Sequence, residues 1–326
     1  MMIALAGDVM LGRGVNQALR DLRPEEPWGD VLPLLHGADL RVINLECALT
    51  QHPFPWRRTP KQFHFRADPS AVAVLRAARI DACSLANNHT LDFEEQGLLD
   101  TLTHLDAAGI QHAGAGRNLD EARRPALLTP GPDRPRVALV AFTDNEPSFA
   151  AGPNRPGTAY LPVSLEPGGL ETVEASIAAA RDAGAEVVIF SNHWGPNMIE
   201  RPSTLHRQFA HAVAERGADI YFGHSAHLTQ GVELYRDTLI LYDTGDFIDD
   251  YAVDPFLRND WSFLFLVSLE GRRVCRLELE PVELHYARVC RAVGHSREAN
   301  LTRMENLSRE LGTHLRREDD RLVLPT

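Results

Sequence analysis

Residues 186–193, EVVIFSNH, form a short apolar run that ends abruptly in asparagine and histidine. A run of this length, rich in β-branched residues, predicts a strand over 186–191 that is buried on both faces. Similar runs predict strands elsewhere in the chain, over 2–6, 40–45, 80–86, 136–142 and 219–222. Between these runs, apolar residues recur at helical spacing, which predicts helices over 69–79, 94–108, 168–183 and 204–216. This alternation predicts an α/β fold with a largely parallel sheet.

Polar side chains follow the predicted strands at the points where they end. In open α/β sheets, the carboxyl ends of the strands form the crevice in which ligands bind. Carboxylate, amide and imidazole groups are suitable ligands for Mn, Fe or Zn. Two such ions ~3.5 to 4 Å apart can stabilise both the attacking and the leaving oxygen of a displacement reaction. The sequence therefore predicts a site for one or two divalent transition metals, with the ligands Asp8, Glu46, Asn88, His193, His224 and His227.

The last third of the chain has a different pattern. Apolar runs follow one another without an intervening helix, over 232–235, 238–243, 262–271 and 273–284. Closely spaced strands of this kind predict an antiparallel meander. Residues 297–318 are charged and helical in pattern. We expect one domain over 1–296 and a helical C-terminal tail over 297–326 that packs on it or extends it.

Composition excludes several classes of protein. An apolar fraction of 44% and a charged fraction of 24% in 326 residues are typical of a soluble globular protein. The net charge of −12 argues against nucleic acid as a partner. No apolar run reaches the ~20 residues of a membrane span, and the N-terminal run is too short for a signal peptide. We expect a cytoplasmic protein without membrane insertion, and its oligomeric state stays open.

Some of these residues also have a simpler interpretation. Asp8 is a possible helix N-cap, and Glu46 a possible solvated loop carboxylate. Asp92, three residues after His89, either orients that ring or caps the following helix. Asp246 is a ligand, a partner of a ligand, or a turn residue.

Two arginines are candidates for binding the substrate. Arginine binds phosphate and carboxylate groups through two parallel hydrogen bonds, so Arg13 and Arg66 could hold an anion near the metals. The alternative for each is an ordinary surface ion pair.

Six motifs in order resemble those of a known family. The motifs are GDVMLGR, NLECALT, FRADP, NNHTLD, NHWG and GHSAH, between residues 7 and 227. Together they resemble the CapA family (poly-γ-glutamate capsule biosynthesis protein domain) of the calcineurin-like metallophosphoesterase superfamily. The resemblance covers about residues 2–250 and implies a four-layer α-β-β-α sandwich of the metallophosphoesterase type, with mixed sheets and metals at the strand ends.

The resemblance also implies roles for the site residues. By this likeness Asp8 binds the first metal, Asn88 binds the second, and Glu46 bridges them or lies close to a bridging position. His89 is the acid that faces the leaving group. Asp92 is counted as a catalytic residue beside it on its spacing alone, if it orients that ring. The metal shells are completed by His193, His224 and His227.

One residue departs from the pattern of the wider superfamily, which begins Asp-x-His. Met10 stands where the histidine would be, and a thioether is a weak ligand for Mn or Zn. We therefore expect the two metal positions to differ in affinity. The position formed by Asn88, His193 and His224 should fill before the one formed by Asp8 and His227.

Three functions are compatible with this sequence. The first is a metal-dependent hydrolase that cleaves a phosphoester, with His89 as general acid. The second is an amide-bond enzyme or accessory factor acting on poly-γ-glutamate or a related capsule or cell-wall polymer. The third is a non-catalytic metal-binding subunit. The substrate of either enzyme would be an anionic small molecule or polymer.

Overall fold

A computed structural model describes residues 1–325, in which twenty strands and eight α-helices are present. The strands are β1 (Met2–Val9), β2 (Leu40–Leu45), β3 (Ala48–Leu49), β4 (Arg66–Ala67), β5 (Ala82–Ser84), β6 (Gln111–Ala113), β7 (Ala115–Gly116), β8 (Ala126–Leu128), β9 (Val137–Thr143), β10 (Gly157–Thr158), β11 (Val187–His193), β12 (Ile220–His224), β13 (Val232–Tyr235), β14 (Thr238–Leu241), β15 (Asp246–Ile248), β16 (Trp261–Glu270), β17 (Arg273–His285), β18 (Arg288–Arg291), β19 (Arg316–Glu318) and β20 (Arg321–Pro325). The helices are α1 (Arg13–Ala18), α2 (Leu32–Gly37), α3 (Val72–Ala77), α4 (Glu94–Ala108), α5 (Leu119–Ala122), α6 (Pro167–Asp182), α7 (Thr204–Glu215) and α8 (Gly294–Glu310).

Two large mixed sheets form the centre of the fold. The first has ten strands, with β1, β2, β5 and β6 parallel to one another and β16, β17 and β20 added in antiparallel fashion. The second has six strands, with β9, β11, β12 and β14 parallel at its centre and antiparallel β8 and β13 at its edges. Most of the predicted strands are therefore central strands of these two sheets.

The two sheets pack face to face, and helices cover their outer faces. Ile3 and Leu5 of β1 belong to the same buried cluster as Ile189 of β11, so this cluster fills the space between the sheets. The neighbouring residues of β1 point the other way and pack with helix residues such as Leu98 of α4. Phe209 of α7 packs on the outer face of the second sheet. The predicted four-layer α-β-β-α sandwich is confirmed.

The antiparallel C-terminal meander is present as β16, β17 and β18. The β13–β14 hairpin, predicted to continue into it, instead lies in the second sheet, because β14 pairs in parallel with β12. The chain crosses from one sheet to the other between Leu241 and Asp246. This crossing brings Asp246 to the edge of β1.

The C-terminal segment is only partly helical. The predicted helix over 297–318 extends too far, because α8 begins at Gly294 and ends at Glu310. The chain then returns as β19 and β20, and β20 pairs with β17 of the first sheet. Backbone hydrogen bonds to β17 thus replace the last turns that the charge pattern predicted. No helix in residues 1–325 is long and apolar enough to cross a lipid bilayer.

Candidate metal centre

Two groups of side chains bring ligand atoms within 4.8 Å of one another at the ends of the parallel strands. The first group contains Asp8, His193 and His224. The second contains Asp8, Glu46, His227 and Asp246. Asp8 belongs to both groups and would therefore be the ligand shared by two ions, whereas Glu46, to which the resemblance assigns the bridging position, belongs to the second group alone.

The first group is formed by neutral imidazoles that face a carboxylate. His193 Nδ1 lies 2.8 Å from His224 Nδ1, which is 3.8 Å from Asp8 Oδ1. The other ring nitrogen of His224 forms a 2.8 Å hydrogen bond with Ser191 Oγ. Burial lowers the pKa of His224 to about 3 and that of His193 well below its usual value. Both rings are therefore uncharged and have a lone pair to offer a metal.

The second group concentrates carboxylates in a buried place. His227 Nδ1 lies 2.8 Å from Asp246 Oδ1 and 3.7 Å from Asp8 Oδ2. Burial raises the pKa of Glu46 to about 8, and burial together with neighbouring carboxylates raises the pKa of Asp8 and Asp246 well above the usual range. A bound cation would reverse these shifts, because it stabilises the ionised carboxylates.

Three buried oxygens in this cluster have no hydrogen-bond partner among the described residues: Asp8 Oδ2, Glu46 Oε1 and Asp246 Oδ2. A fourth, Asn88 Oδ1, belongs to a residue that lines the adjoining cavity. Buried polar atoms in native proteins are nearly always hydrogen-bonded, so a group of unpaired oxygens indicates a missing ligand. Oxygen and imidazole donors are the set that Mn, Fe and Zn accept. The residues present therefore fit one or two such ions.

Strand register explains why residues distant in sequence meet here. His193 and His224 are paired neighbours at the ends of β11 and β12. Asp8 and Asp246 are likewise paired between β1 and β15. Both strands end later than predicted, since β11 and β12 include these histidines as their last residues.

Two glycines allow the backbone to pass close to the cluster. A Cβ atom on Gly7 would lie 1.8 Å from the carbonyl oxygen of Gly245, and one on Gly223 would lie 2.0 Å from that of Tyr242. Each glycine directly precedes a candidate ligand, Asp8 or His224. Close approach of neighbouring strands therefore requires glycine at these positions.

The structure also decides among the simpler interpretations. Asp8 lies within β1 and the first helix is capped by Gly12, so Asp8 is not an N-cap. Glu46 is fully buried and not a solvated loop residue. Asp246 lies among the candidate metal ligands rather than in an isolated turn.

Asp92 holds the ring of His89. Asp92 Oδ2 lies 2.5 Å from His89 Nδ1, and the cap of α4 is Phe93. The ring of Phe65 stacks on His89 with centroids 3.8 Å apart. Burial lowers the pKa of His89 well below its usual value, and it raises the pKa of Asp92 to about 7 despite the opposing effect of Lys61. The free His89 Nε2 lies 3.9 Å from Glu46 Oε1.

A cavity of about 460 Å³ opens onto this cluster and is lined by Arg13, Lys61, Asn88, His89, His227 and Tyr251, among others. Arg13 lies at its side, with Nε 3.4 Å from Asp250 Oδ2 and the guanidinium carbon 5.6 Å from the centre of the Phe65 ring. An anion in the cavity could therefore reach Arg13.

Arg66 lies elsewhere. Its Nη1 donates to the carbonyl of His52 at 2.7 Å, and its guanidinium lies over the ring of Phe93. It lines a different cavity, together with Arg20 and Asp68. The structure therefore does not bring Arg66 to the candidate metal cluster. Within residues 1–325, its strand β4 pairs only with the short β3.

Met10 provides no ligand in this arrangement. It is fully buried in the cluster between the first sheet and its helices, and its Sδ accepts a hydrogen bond from the backbone N–H of Gly12 at 3.0 Å. The carboxylates around Asp8 instead come from Glu46 and Asp246.

Asn44 is a site residue that the sequence patterns did not single out. Its Nδ2 donates to Asp8 Oδ1 at 2.7 Å and lies 3.4 Å from His193 Nδ1. Its own oxygen accepts from Asn87 Nδ2 at 3.0 Å. The available signal was an amide near the end of the mostly apolar strand β2. Asn44 thus fixes one oxygen of Asp8 and leaves the other free for a metal.

Fold and site together define an α/β sandwich protein with a candidate two-metal centre. The family model described as "Bacterial capsule synthesis protein PGA_cap" matches residues 2–251. The chain belongs to this family of bacterial capsule synthesis proteins, which confirms the CapA resemblance.

Several relatives are similar over most of the chain. A probable polyglutamine synthesis accessory protein of Mycobacterium tuberculosis is 33% identical, over 98% of this chain and 94% of that protein. The PGA biosynthesis protein CapA of Bacillus subtilis is 28% identical, over 87% of this chain and 72% of that protein. Among solved structures, TT1561 of Thermus thermophilus aligns with a TM-score of 0.44 and 12% identity, covering 81% of this chain and 92% of that chain.

Proposed function

We propose that this protein is a metal-dependent hydrolase that cleaves a phosphoester in the cavity beside the cluster. The observation that carries this proposal is the pair of ligand groups that share Asp8, next to a cavity lined by His89. Divalent ions held there would supply Lewis-acid stabilisation of the charge that develops on the phosphoryl oxygens. Arg13 would bind and orient the anionic end of the substrate.

His89 would provide the proton for the leaving oxygen. Asp92 accepts the hydrogen bond of His89 Nδ1–H, so Nε2 is the nitrogen that faces the reaction. A phosphate group in the cavity would raise the low pKa of His89, because the anion stabilises the imidazolium. Proton donation by a histidine held in this way typically contributes about 10² to 10⁴ in rate.

A second candidate function comes from the relatives. Their names refer to polyglutamine synthesis and to PGA biosynthesis. This naming supports an amide-bond enzyme or accessory factor that acts on a glutamate polymer. The same cavity and Arg13 would then bind a carboxylate instead of a phosphate.

The decisive experiment loads the purified chain separately with Mn, Fe and Zn and offers three substrates. These are p-nitrophenyl phosphate, bis-p-nitrophenyl phosphate and γ-linked polyglutamate. We expect nitrophenolate release that Asp8→Asn abolishes and His89→Gln reduces, while the exposed control His295→Gln has no effect.

Two results would overturn the phosphoester proposal. Shortening of polyglutamate without nitrophenolate release would show the amide-bond enzyme. Metal binding without turnover of any of the three would identify a non-catalytic subunit.

A further inference from the structure

Lys61 is the only lysine of the chain, and its side chain is buried. It lies on residues 51–65, here called the strap, which connects β3 to β4 without a helix or strand of its own. Only 5% of the Lys61 side chain is exposed. A buried ammonium group is costly unless charged or polar partners surround it, so its contacts require an explanation.

Three oxygens surround the Lys61 ammonium. Nζ donates to the carbonyl of Asn88 at 2.7 Å and lies 3.4 Å from Asp92 Oδ1 and 3.5 Å from Glu146 Oε1. Asp92 therefore has one oxygen facing Lys61 while the other faces His89 Nδ1. The lysine and the histidine hold the same carboxylate from opposite sides.

A second residue of the strap, Phe65, contacts both Asp92 and His89. The backbone N–H of Phe65 donates to Asp92 Oδ2 at 2.6 Å, and the Phe65 ring stacks on His89. The strap thus contacts Asp92 through Lys61, and it contacts both Asp92 and His89 through Phe65.

We propose that Lys61 is a positioning residue, which fixes the Asp92 carboxylate so that Oδ2 stays aligned with His89 Nδ1. This role rests on the proposed hydrolase function for its kinetic consequence, but the alignment itself is a property of the protein without substrate. Lys61 would act through Asp92 and would not need to touch the substrate.

A double-mutant cycle tests whether Lys61 acts through Asp92. Lys61→Met should lower kcat about 10- to 100-fold with little change in KM, the usual range when a partner of a site residue is removed. In the Asp92→Asn background the same substitution should change kcat by less than about threefold, because the interaction is already lost. Lys61→Arg keeps the charge and should restore most of the activity.

The matched control lies on the same strap. Arg58 is 46% exposed and pairs with Glu94 and Glu95, away from His89, so Arg58→Met should leave kcat unchanged. An equal loss of kcat from Lys61→Met in both backgrounds would overturn the proposal. A rise in KM with kcat unchanged would do so as well, since it would show that Lys61 binds substrate.

A spectroscopic measurement separates this proposal from the proposed function. The His89 Nδ1–H proton should give a downfield NMR resonance in protein without added metal, assigned by its loss in His89→Gln. We expect Lys61→Met to shift or broaden this resonance, and Arg58→Met to preserve it. An unchanged resonance in Lys61→Met would overturn the positioning role even if no phosphoester is cleaved.

If Lys61→Met alone does not fold, two variants still decide the question. Lys61→Met combined with Asp92→Asn leaves no unpaired charge on Asp92, and Lys61→Arg retains the charge. An unperturbed resonance in Lys61→Arg supports the proposal, and its loss in a folded Lys61→Arg protein with normal kcat contradicts it.

Discussion

Asp8 belongs to both candidate ligand groups, since its Oδ1 faces His224 and its Oδ2 faces His227. Asn44 holds the first oxygen, so the carboxylate cannot turn freely. The cluster thus depends on one side chain for the connection between its two halves.

Asp8→Asn should abolish metal binding and still leave a folded protein. The amide removes a carboxylate whose ionisation is opposed by burial and by the neighbouring Glu46 and Asp246, so the metal-free variant should be more stable than metal-free wild type. Elemental analysis and urea unfolding measure the two effects. The exposed Asp182→Asn serves as control. Full metal content in Asp8→Asn would contradict the bridging role.

Substitutions of His89 and His193 should distinguish the proposed proton donor from a proposed metal ligand. His89→Gln should retain metal and lower turnover by roughly 10² to 10⁴, because it removes the proton donor. His193→Ala should lose metal, because both ring nitrogens of His193 face the cluster. Nε2 lies 3.8 Å from Glu46 Oε1, and Nδ1 lies 3.4 Å from Asn44 Nδ2, which itself donates to Asp8 Oδ1. Metal content per chain and steady-state kinetics check both. Equal loss of metal in the two variants would show that this division of roles is wrong.

At the scale of elements, the cluster depends on close packing of neighbouring strands. β12 and β14 approach each other at Gly223, where a Cβ atom would meet the Tyr242 carbonyl oxygen. The side chain of the next residue, His224, is completely buried. A change in the spacing of these strands would therefore move His224, a candidate metal ligand.

Gly223→Ala should destabilise the protein by about 3 kcal/mol or more and reduce its metal content, because the added methyl group forces the two strands apart. Gly37→Ala, at the end of α2 with no atom within 4 Å of the added carbon, should change stability by no more than about 0.5 kcal/mol. Urea unfolding of both variants measures the difference. A Gly223→Ala protein with wild-type stability would show that the strands can separate at little cost.

At the scale of the whole molecule, metal binding and folding should be coupled. Asp8, Asn44 and Glu46 come from the first sheet and its loops, and His193 and His224 come from the second, so the complete site exists only when the two sheets are packed together. An ion that binds only the folded state should raise the free energy of unfolding by about 2.7 kcal/mol at one hundred times its dissociation constant. Thermal unfolding with added Mn, Fe or Zn, and after chelation, measures this. No shift with any of the three would contradict the metal site.

The two ion positions should also differ in affinity. One group offers two neutral imidazoles with one carboxylate, whereas the other concentrates three carboxylates with one imidazole, and Met10 in the core contributes nothing to either. We expect the position with His193 and His224 to fill first. Calorimetric titration should show two unequal steps, and two equal steps would contradict this.

Much of this architecture follows from local sequence. Apolar runs of four to seven residues determine where the central strands lie. The polar residues that follow these runs determine which side chains lie at the strand ends. Both are properties of neighbouring residues, which is why Asp8, Glu46, His193, His224 and His227 could be predicted as one cluster. The position of Asn88 and His89 after β5 could be predicted for the same reason.

The rest was decided by tertiary structure. Asp246 joins the cluster because the chain crosses between sheets and pairs β15 with β1, and nothing in the local pattern indicates that partner. Lys61 reaches Asp92 along a strap without regular structure, and Arg66, a few residues later, turns to another cavity. The C-terminal strands replace predicted helix because β17 offers them backbone partners. Each outcome depends on contacts between segments far apart in the chain, and local propensity carries no information about such contacts.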